Sequence, residues 1–107
     1  MSDAIAVGAM RAARERGINV PADLSVVGFD DVELAQFADP ALTTIHQPIA
    51  RKGEQAVELL LGILEGTVGP DQHEILATRL VVRSSTGPAR DAVRRTIEGG
   101  ASERRPV

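Results

Sequence analysis

The sequence predicts an α/β domain built on a parallel sheet, and two successions of elements predict it. An amphipathic helical pattern over residues 4–16 leads, after a turn at Pro21, into an apolar run over residues 24–29. A β-branched run over residues 42–47 leads directly into a long helical pattern that begins at Pro48. Helix–loop–strand and strand–helix orders of this kind belong to βαβ units, whose strands are parallel.

The first helix is predicted from both of its ends. Asp3 is the predicted N-cap, because its side chain can accept a hydrogen bond from a free N–H of the first turn. Gly17 suits the left-handed position that follows a helix. The apolar positions between them recur at helical spacing and predict one buried face; they are Ile5, Ala6, Ala9, Met10 and Ala13.

The run over residues 24–29 predicts a buried strand that ends in Gly28-Phe29-Asp30-Asp31. Ligands of α/β domains collect at the carboxyl ends of sheet strands, where Asp30 would lie. Its carboxylate could accept hydrogen bonds from vicinal hydroxyls, beside an apolar surface from Phe29. The alternative is that both aspartates open a turn, in which Asp is common. Neighbours on a strand point to opposite faces, so an acid–base pair would require the chain to turn between them.

The other elements follow from similar patterns. Residues 32–37 predict a single helical turn, and residues 74–77 and 80–84 predict two short β segments. The long helix, 48–65, is predicted to begin at Pro48 and end before Gly66. Its apolar stripe has helical spacing; the stripe consists of Ile49, Ala56, Val57, Leu60, Leu61 and Leu64.

Composition excludes several functions. The chain has 107 residues, enough for one domain, and no cysteine, which excludes disulfides and thiolate metal sites. His46 and His73 show no metal-ligand spacing, and no nucleophile elbow or phosphate-binding glycine loop occurs. We therefore expect no catalytic residue, metal or cofactor.

Charge and hydropathy indicate where the chain functions. The net charge of −3 does not favour a nucleic-acid surface. No apolar run is long enough to span a membrane and no signal peptide is present, so we expect a cytoplasmic protein without membrane contact. Residues 89–107, in which arginines alternate with acids, are predicted to be a flexible polar tail. A basic DNA-binding arm is the alternative for this segment.

Four blocks of the sequence resemble the lactose/galactose-repressor family. They are residues 3–12, residues 17–31 with Val-Val-Gly-Phe-Asp-Asp, residues 40–48 with Leu-Thr-Thr-Ile-His-Gln-Pro, and residues 80–87. The resemblance implies a periplasmic-binding-protein-like (type I) fold with two lobes. Residues 1–88 would supply the C-terminal lobe plus crossover elements, as a partial effector-binding and dimerisation domain.

The resemblance also implies roles for individual residues. Asp30 is similar to the family's effector-binding aspartate, Gln47 to a crossover residue that lines the cleft, and Ile49 to an apolar residue just beyond it. Ser2 falls where many members have an asparagine that bonds the effector, although serine has a shorter reach. The first helix, with Val7 and Met10, and the segment from Leu34 to Phe37 resemble parts of the family's dimer interface.

These roles define the expected function. The chain would be the effector-binding and dimerisation portion of a repressor-type transcriptional regulator, with a sugar or nucleobase-class effector. DNA would be bound only through a helix-turn-helix absent from this sequence. The alternatives are a fragment of a periplasmic sugar-binding protein and a dimerisation module without ligand.

In the family the helix over residues 48–65 belongs to the N-terminal lobe. Without that lobe its Leu60, Leu61 and Leu64 would be exposed, which favours homodimers or higher oligomers.

Overall fold

The computed structural model describes residues 1–89, which contain three helices and two short strands. The predicted tail lies outside these residues, apart from Ala89. In chain order the elements are α1 (Asp3–Glu15), α2 (Glu33–Phe37), β1 (Thr44–His46), α3 (Ile49–Glu65) and β2 (Arg79–Val81).

Helix α1 begins one residue earlier than predicted, and its cap is a different residue. Ser2 is the N-cap, and its Oγ accepts a hydrogen bond from the backbone N–H of Ile5 at 3.3 Å. The prediction that Asp3 is the cap was wrong, because Asp3 lies in the first turn with its side chain buried. The predicted end is confirmed: Gly17 has φ +74°, which allows its N–H and that of Ile18 to bond back to the last turn.

The predicted strand over residues 24–29 is replaced by an extended segment that makes two isolated parallel bridges, Val27 with Thr43 and Asp30 with His46. Parallel pairing is therefore confirmed, but continuous strand structure and full burial are not. Only one face of the segment is covered: Val26 and Gly28 are buried, whereas alternate side chains such as Phe29 are exposed. A segment that is packed on one face alternates in burial in this way.

The paired strands β1 and β2 are antiparallel, with Thr44 opposite Val81 and His46 opposite Arg79. Strand β1 thus lies between β2 and the segment over residues 27–30. The other predicted β segment, residues 74–77, forms no strand. Strand β2 corresponds to the segment predicted over residues 80–84, shifted toward the N-terminus.

The core lies between α1, α2 and the extended segment. It consists of small and medium aliphatic side chains, since the chain has only two phenylalanines and no other aromatic residue. The buried cluster contains Ala6, Met10, Val26, Ala35 and Leu42.

Helix α3 follows Pro48, which is its N-cap rather than its first residue, and Gly66 ends it in the left-handed conformation at φ +78°. Its apolar stripe faces outward, as predicted: Leu60, Leu61 and Leu64 are all exposed, Leu64 by 73%. Gln55, Leu59 and Gly62 are its more buried positions. Within residues 1–89, no helix has the length and hydropathy needed to cross a membrane.

Candidate functional site

The candidate site is built around a turn at Asp30 and Asp31. Both residues have positive φ, +119° and +64°, so the chain turns where the extended segment ends. The backbone N–H of Asp30 donates to the carbonyl of Ile45 at 2.9 Å, and the N–H of Gln47 approaches the carbonyl of Asp30 at 3.5 Å. These contacts place the ends of two neighbouring extended segments side by side.

Asp30 and Gln47 are joined through their side chains. Nε2 of Gln47 donates a short hydrogen bond to Oδ1 of Asp30. Nζ of Lys52, from the first turn of α3, donates to Oε1 of Gln47 at 3.3 Å. Within residues 1–89, Oδ2 of Asp30 has no hydrogen-bond partner. The half-buried carboxylate is therefore oriented through one oxygen and keeps the other available as an acceptor.

A cavity of about 550 Å³ adjoins this group. It lies between α3 and residues 74–78, and Phe29 and Gln47 are the two predicted site residues among its lining. Lys52, Gln55 and Glu74 contribute polar groups, and Nε2 of Gln55 donates to Glu74 at 3.3 Å. Asp30 is not a lining residue and reaches the cavity only through its bond to Gln47.

Asp31 points to a different set of partners. Its Oδ1 accepts a hydrogen bond from Nη2 of Arg83 at 2.7 Å, and its Oδ2 lies 2.9 Å from Nδ1 of His46. Burial raises the pKa of Asp31, but the hydrogen bonds and positive charge of Arg83 and His46 outweigh burial and hold that pKa below its ordinary value. The two adjacent aspartates thus do not form an acid–base pair.

A third carboxylate, that of Asp3, is buried next to the turn and accepts two hydrogen bonds there. Asp3 is 1% exposed. Its Oδ1 accepts a hydrogen bond from Oγ1 of Thr44 at 2.6 Å, and its Oδ2 accepts one from the N–H of Val32 at 2.8 Å. A Cβ on Gly28 would lie 2.2 Å from Oδ1 of Asp3, so the absence of a side chain at that position makes room for the carboxylate.

The other predicted binding residues lie at the edges of this arrangement. Ser2 is half-buried, and its Oγ caps α1. The next residue, Asp3, donates its backbone N–H to the carbonyl of Phe29 at 3.3 Å. Ile49 begins α3 and its side chain is exposed. Neither Ser2 nor Ile49 lines the cavity.

Sequence patterns did not identify Lys52, Gln55 or Arg83 as site residues. Lys52 and Gln55 lie three residues apart and share a helix face. The apolar stripe lies on the opposite face of α3 and gives no indication of them. Arg83 joins Asp31 across 52 residues of chain, and no local signal predicts such a contact.

Residues predicted for a dimer interface lie on α1 and α2. Leu34 and Phe37 are exposed, and Val7 is half-buried. Met10 is 4% exposed and packs in the chain's own core. It can contribute to such a surface only by packing behind the exposed side chains. Within residues 1–89, no group of three or more His, Asp or Glu side chains could hold a metal ion.

Comparison with known proteins finds a family whose members resemble this chain. Residues 1–86 match the family described as a periplasmic binding protein-like domain. The chain is 49% identical over 88 residues to the HTH-type transcriptional regulator MalR of Streptomyces coelicolor. That match covers 82% of this chain and 26% of MalR.

Two solved structures are similar in fold and sequence. The dimeric lac repressor with an 11-residue C-terminal deletion has a TM-score of 0.75 at 39% identity, covering 83% of this chain and 32% of that one. A LacI family transcriptional regulator from Arthrobacter sp. FB24, in complex with lactose, has a TM-score of 0.70 at 37% identity, covering 81% of this chain and 33% of that one. The chain therefore spans about a quarter to a third of the length of these relatives.

Proposed function

This chain belongs to the lactose/galactose-repressor family of transcriptional regulators, and from that membership we propose that it binds a small effector through Asp30. Its fold is part of the periplasmic-binding-protein-like α/β fold of the family's effector-binding domains. The proposal depends on one observation: the Asp30 carboxylate is oriented by Gln47 through Oδ1, while Oδ2 has no partner within residues 1–89.

The chemistry of this group suits a polyhydroxylated ligand. A carboxylate is an acceptor-only group with two oxygens, so it can receive hydrogen bonds from two adjacent hydroxyls. Such bonds to a charged acceptor are about twice as strong as neutral ones. The exposed ring of Phe29 supplies an apolar surface for the face of a sugar or nucleobase. The lactose bound in the Arthrobacter regulator supports the sugar class.

Three further contacts are proposed around Asp30. Gln47 would fix the carboxylate and contribute its own amide at the cleft wall. Ile49 would offer an apolar contact from the start of α3, and Ser2 would donate its hydroxyl proton, since its oxygen accepts from Ile5. The chain would supply one wall of a two-walled cleft, so we expect weak affinity for the effector from this chain alone.

Dimerisation is the second part of the proposal. The exposed side chains of Leu34 and Phe37, together with Val7 and with Met10 beneath them, would pack against a second copy. The dimeric lac repressor supports this arrangement.

DNA binding would belong to a helix-turn-helix outside the described residues, the motif named for MalR. As part of such a regulator, the chain would function in the cytoplasm and would catalyse no reaction.

The test is an NMR titration of the chain with lactose, cellobiose and a set of nucleosides. We expect one of these compounds to move the side-chain amide resonance of Gln47 and the backbone amide of Asp30 in a saturable way. Asp30→Ala should shift both changes to much higher ligand concentrations while the rest of the amide spectrum keeps its dispersion.

Asp71→Ala is the matched control, because Asp71 is an exposed carboxylate in a turn and does not line the cavity. It should leave the titration unchanged. Binding that keeps its affinity in the Asp30→Ala variant would contradict the proposal. Dimers without any binding would favour a dimerisation module.

A further inference from the structure

We propose that Asp31 is a positioning residue for the effector site: held by Arg83 and His46, it sets the orientation of the Asp30 carboxylate without contacting the effector itself. This inference rests on the proposed function of Asp30. It concerns a residue that the resemblance to the family did not single out, and the contacts on both sides of the turn support it.

The turn requires something to hold it. Asp30 and Asp31 have φ values of +119° and +64°, a region that residues other than glycine rarely adopt. Two successive residues in such a conformation persist only where their surroundings determine it. Because backbone orientation fixes where the side chain of Asp30 points, whatever holds the turn also determines the geometry of that carboxylate.

The side chain of Asp31 supplies this hold. One oxygen accepts from Arg83 at 2.7 Å, and the other lies 2.9 Å from Nδ1 of His46. Arg83 also donates from Nη1 to the carbonyl of Leu42 at 2.9 Å. The turn is therefore anchored to His46, the last residue of β1, and through Arg83 to the backbone that precedes β1.

Exposure separates the roles of the two aspartates. The side chains of Asp31 and Arg83 are only 13% and 16% exposed, unlike a surface ion pair such as Arg14 with Asp39. Both carboxylate oxygens of Asp31 already have partners, whereas Asp30 keeps Oδ2 unpartnered within the described residues. Asp31 therefore bonds to the protein through both oxygens, and these bonds hold the neighbouring residue, whose second oxygen is available to a ligand.

The first experiment needs no ligand. Amide hydrogen exchange is measured on the whole chain for Asp31→Asn, with Asp39→Asn as the control that removes an exposed paired carboxylate. We expect the N–H of Asp30, bonded to Ile45, to exchange about tenfold or more faster in Asp31→Asn. The N–H of Val26, bonded to Ser85, should keep its rate, and Asp39→Asn should change neither.

A second, more conservative variant distinguishes the loss of these contacts from general unfolding. Arg83→Lys keeps the positive charge but cannot bond Asp31 and Leu42 together as a guanidinium does. It should accelerate exchange at Asp30 to an intermediate degree. An unchanged Asp30 rate in both variants, in chains that keep the Val26 rate, would overturn the positioning role.

The second experiment is a double-mutant cycle on lactose binding, with Asp30→Ala, Asp31→Asn and the combined variant. If Asp31 acts through Asp30, Asp31→Asn weakens binding in the parent chain but has no further effect beside Asp30→Ala. Equal weakening in both backgrounds would overturn the inference, because it would mean general damage or direct contact. If Asp30→Ala does not weaken binding, the proposed function fails, and the exchange measurement still decides the role of Asp31.

Discussion

Gly28→Ala tests how closely the buried carboxylate of Asp3 is packed beneath the turn. A Cβ at position 28 would lie 2.2 Å from Oδ1 of Asp3 and 2.8 Å from Cδ2 of Leu42, both inside van der Waals contact. Neither neighbour can withdraw into solvent, because Asp3 is 1% exposed and Leu42 is 0% exposed. The substitution must therefore displace buried atoms.

The magnitude follows from two costs. Adding an atom to a packed core costs about 1–3 kcal/mol of stability. Displacing the Asp3 carboxylate also weakens its bonds from Thr44 at 2.6 Å and Val32 at 2.8 Å. A hydrogen bond to a charged group contributes about 1.5–3 kcal/mol. We expect Gly28→Ala to lower the free energy of unfolding by about 3–5 kcal/mol.

The assay is urea unfolding followed by circular dichroism. Gly8→Ala is the matched control, because Gly8 lies inside α1 and its added Cβ would meet nothing within 4 Å. That variant should gain about 1 kcal/mol from helix propensity. A Gly28→Ala protein within about 0.5 kcal/mol of the parent, the range of a neutral surface change, would refute the packing described for Asp3.

Three other outcomes are expected. Ser85→Ala should lose about 2–4 kcal/mol in the same assay, because its buried Oγ donates to the carbonyl of Val26 at 2.6 Å and accepts from the N–H of Thr43 at 2.8 Å; unchanged stability would contradict this. The lowered pKa of Asp31 contributes stability above its unfolded pKa, near 3.8, that is lost as the pH falls through the folded value. Asp31→Asn should therefore lose less stability on acidification than the parent, and equal loss would contradict the assignment. Light scattering at high concentration should show dimers or larger species, and Leu64→Gln should reduce association through the exposed face of α3; a monomeric parent would contradict it.

Local patterns predicted most of the helices. The spacing of apolar residues and the positions of Gly17 and Gly66 located both ends of α1 and α3 to within one or two residues. The N-cap was predicted wrongly as Asp3, since a serine such as Ser2 is an equally suitable N-cap residue. Burial decided between them, since the carboxylate of Asp3 has partners on Thr44 and Val32 that lie far along the chain.

Tertiary contacts explain what the sequence did not reveal. The run over residues 24–29 is largely apolar and predicted a buried strand, but only the face toward α1 is covered in the described residues. Asp30 lies at the carboxyl end of the segment, as the sequence predicted. The roles of Lys52 and Arg83 depend on how α3 and the closing segment pack, which periodicity alone does not specify.

The carboxyl carbon resonance of Asp30, followed by NMR as lactose or another member of the ligand set is added, tests the central claim most directly. We predict that this resonance shifts to saturation while the carboxyl carbons of Asp3 and Asp31 stay in place. A ligand that shifts Asp31 or Asp3 instead, or that perturbs other residues while Asp30 stays unchanged, would contradict the assignment of the effector site to Asp30.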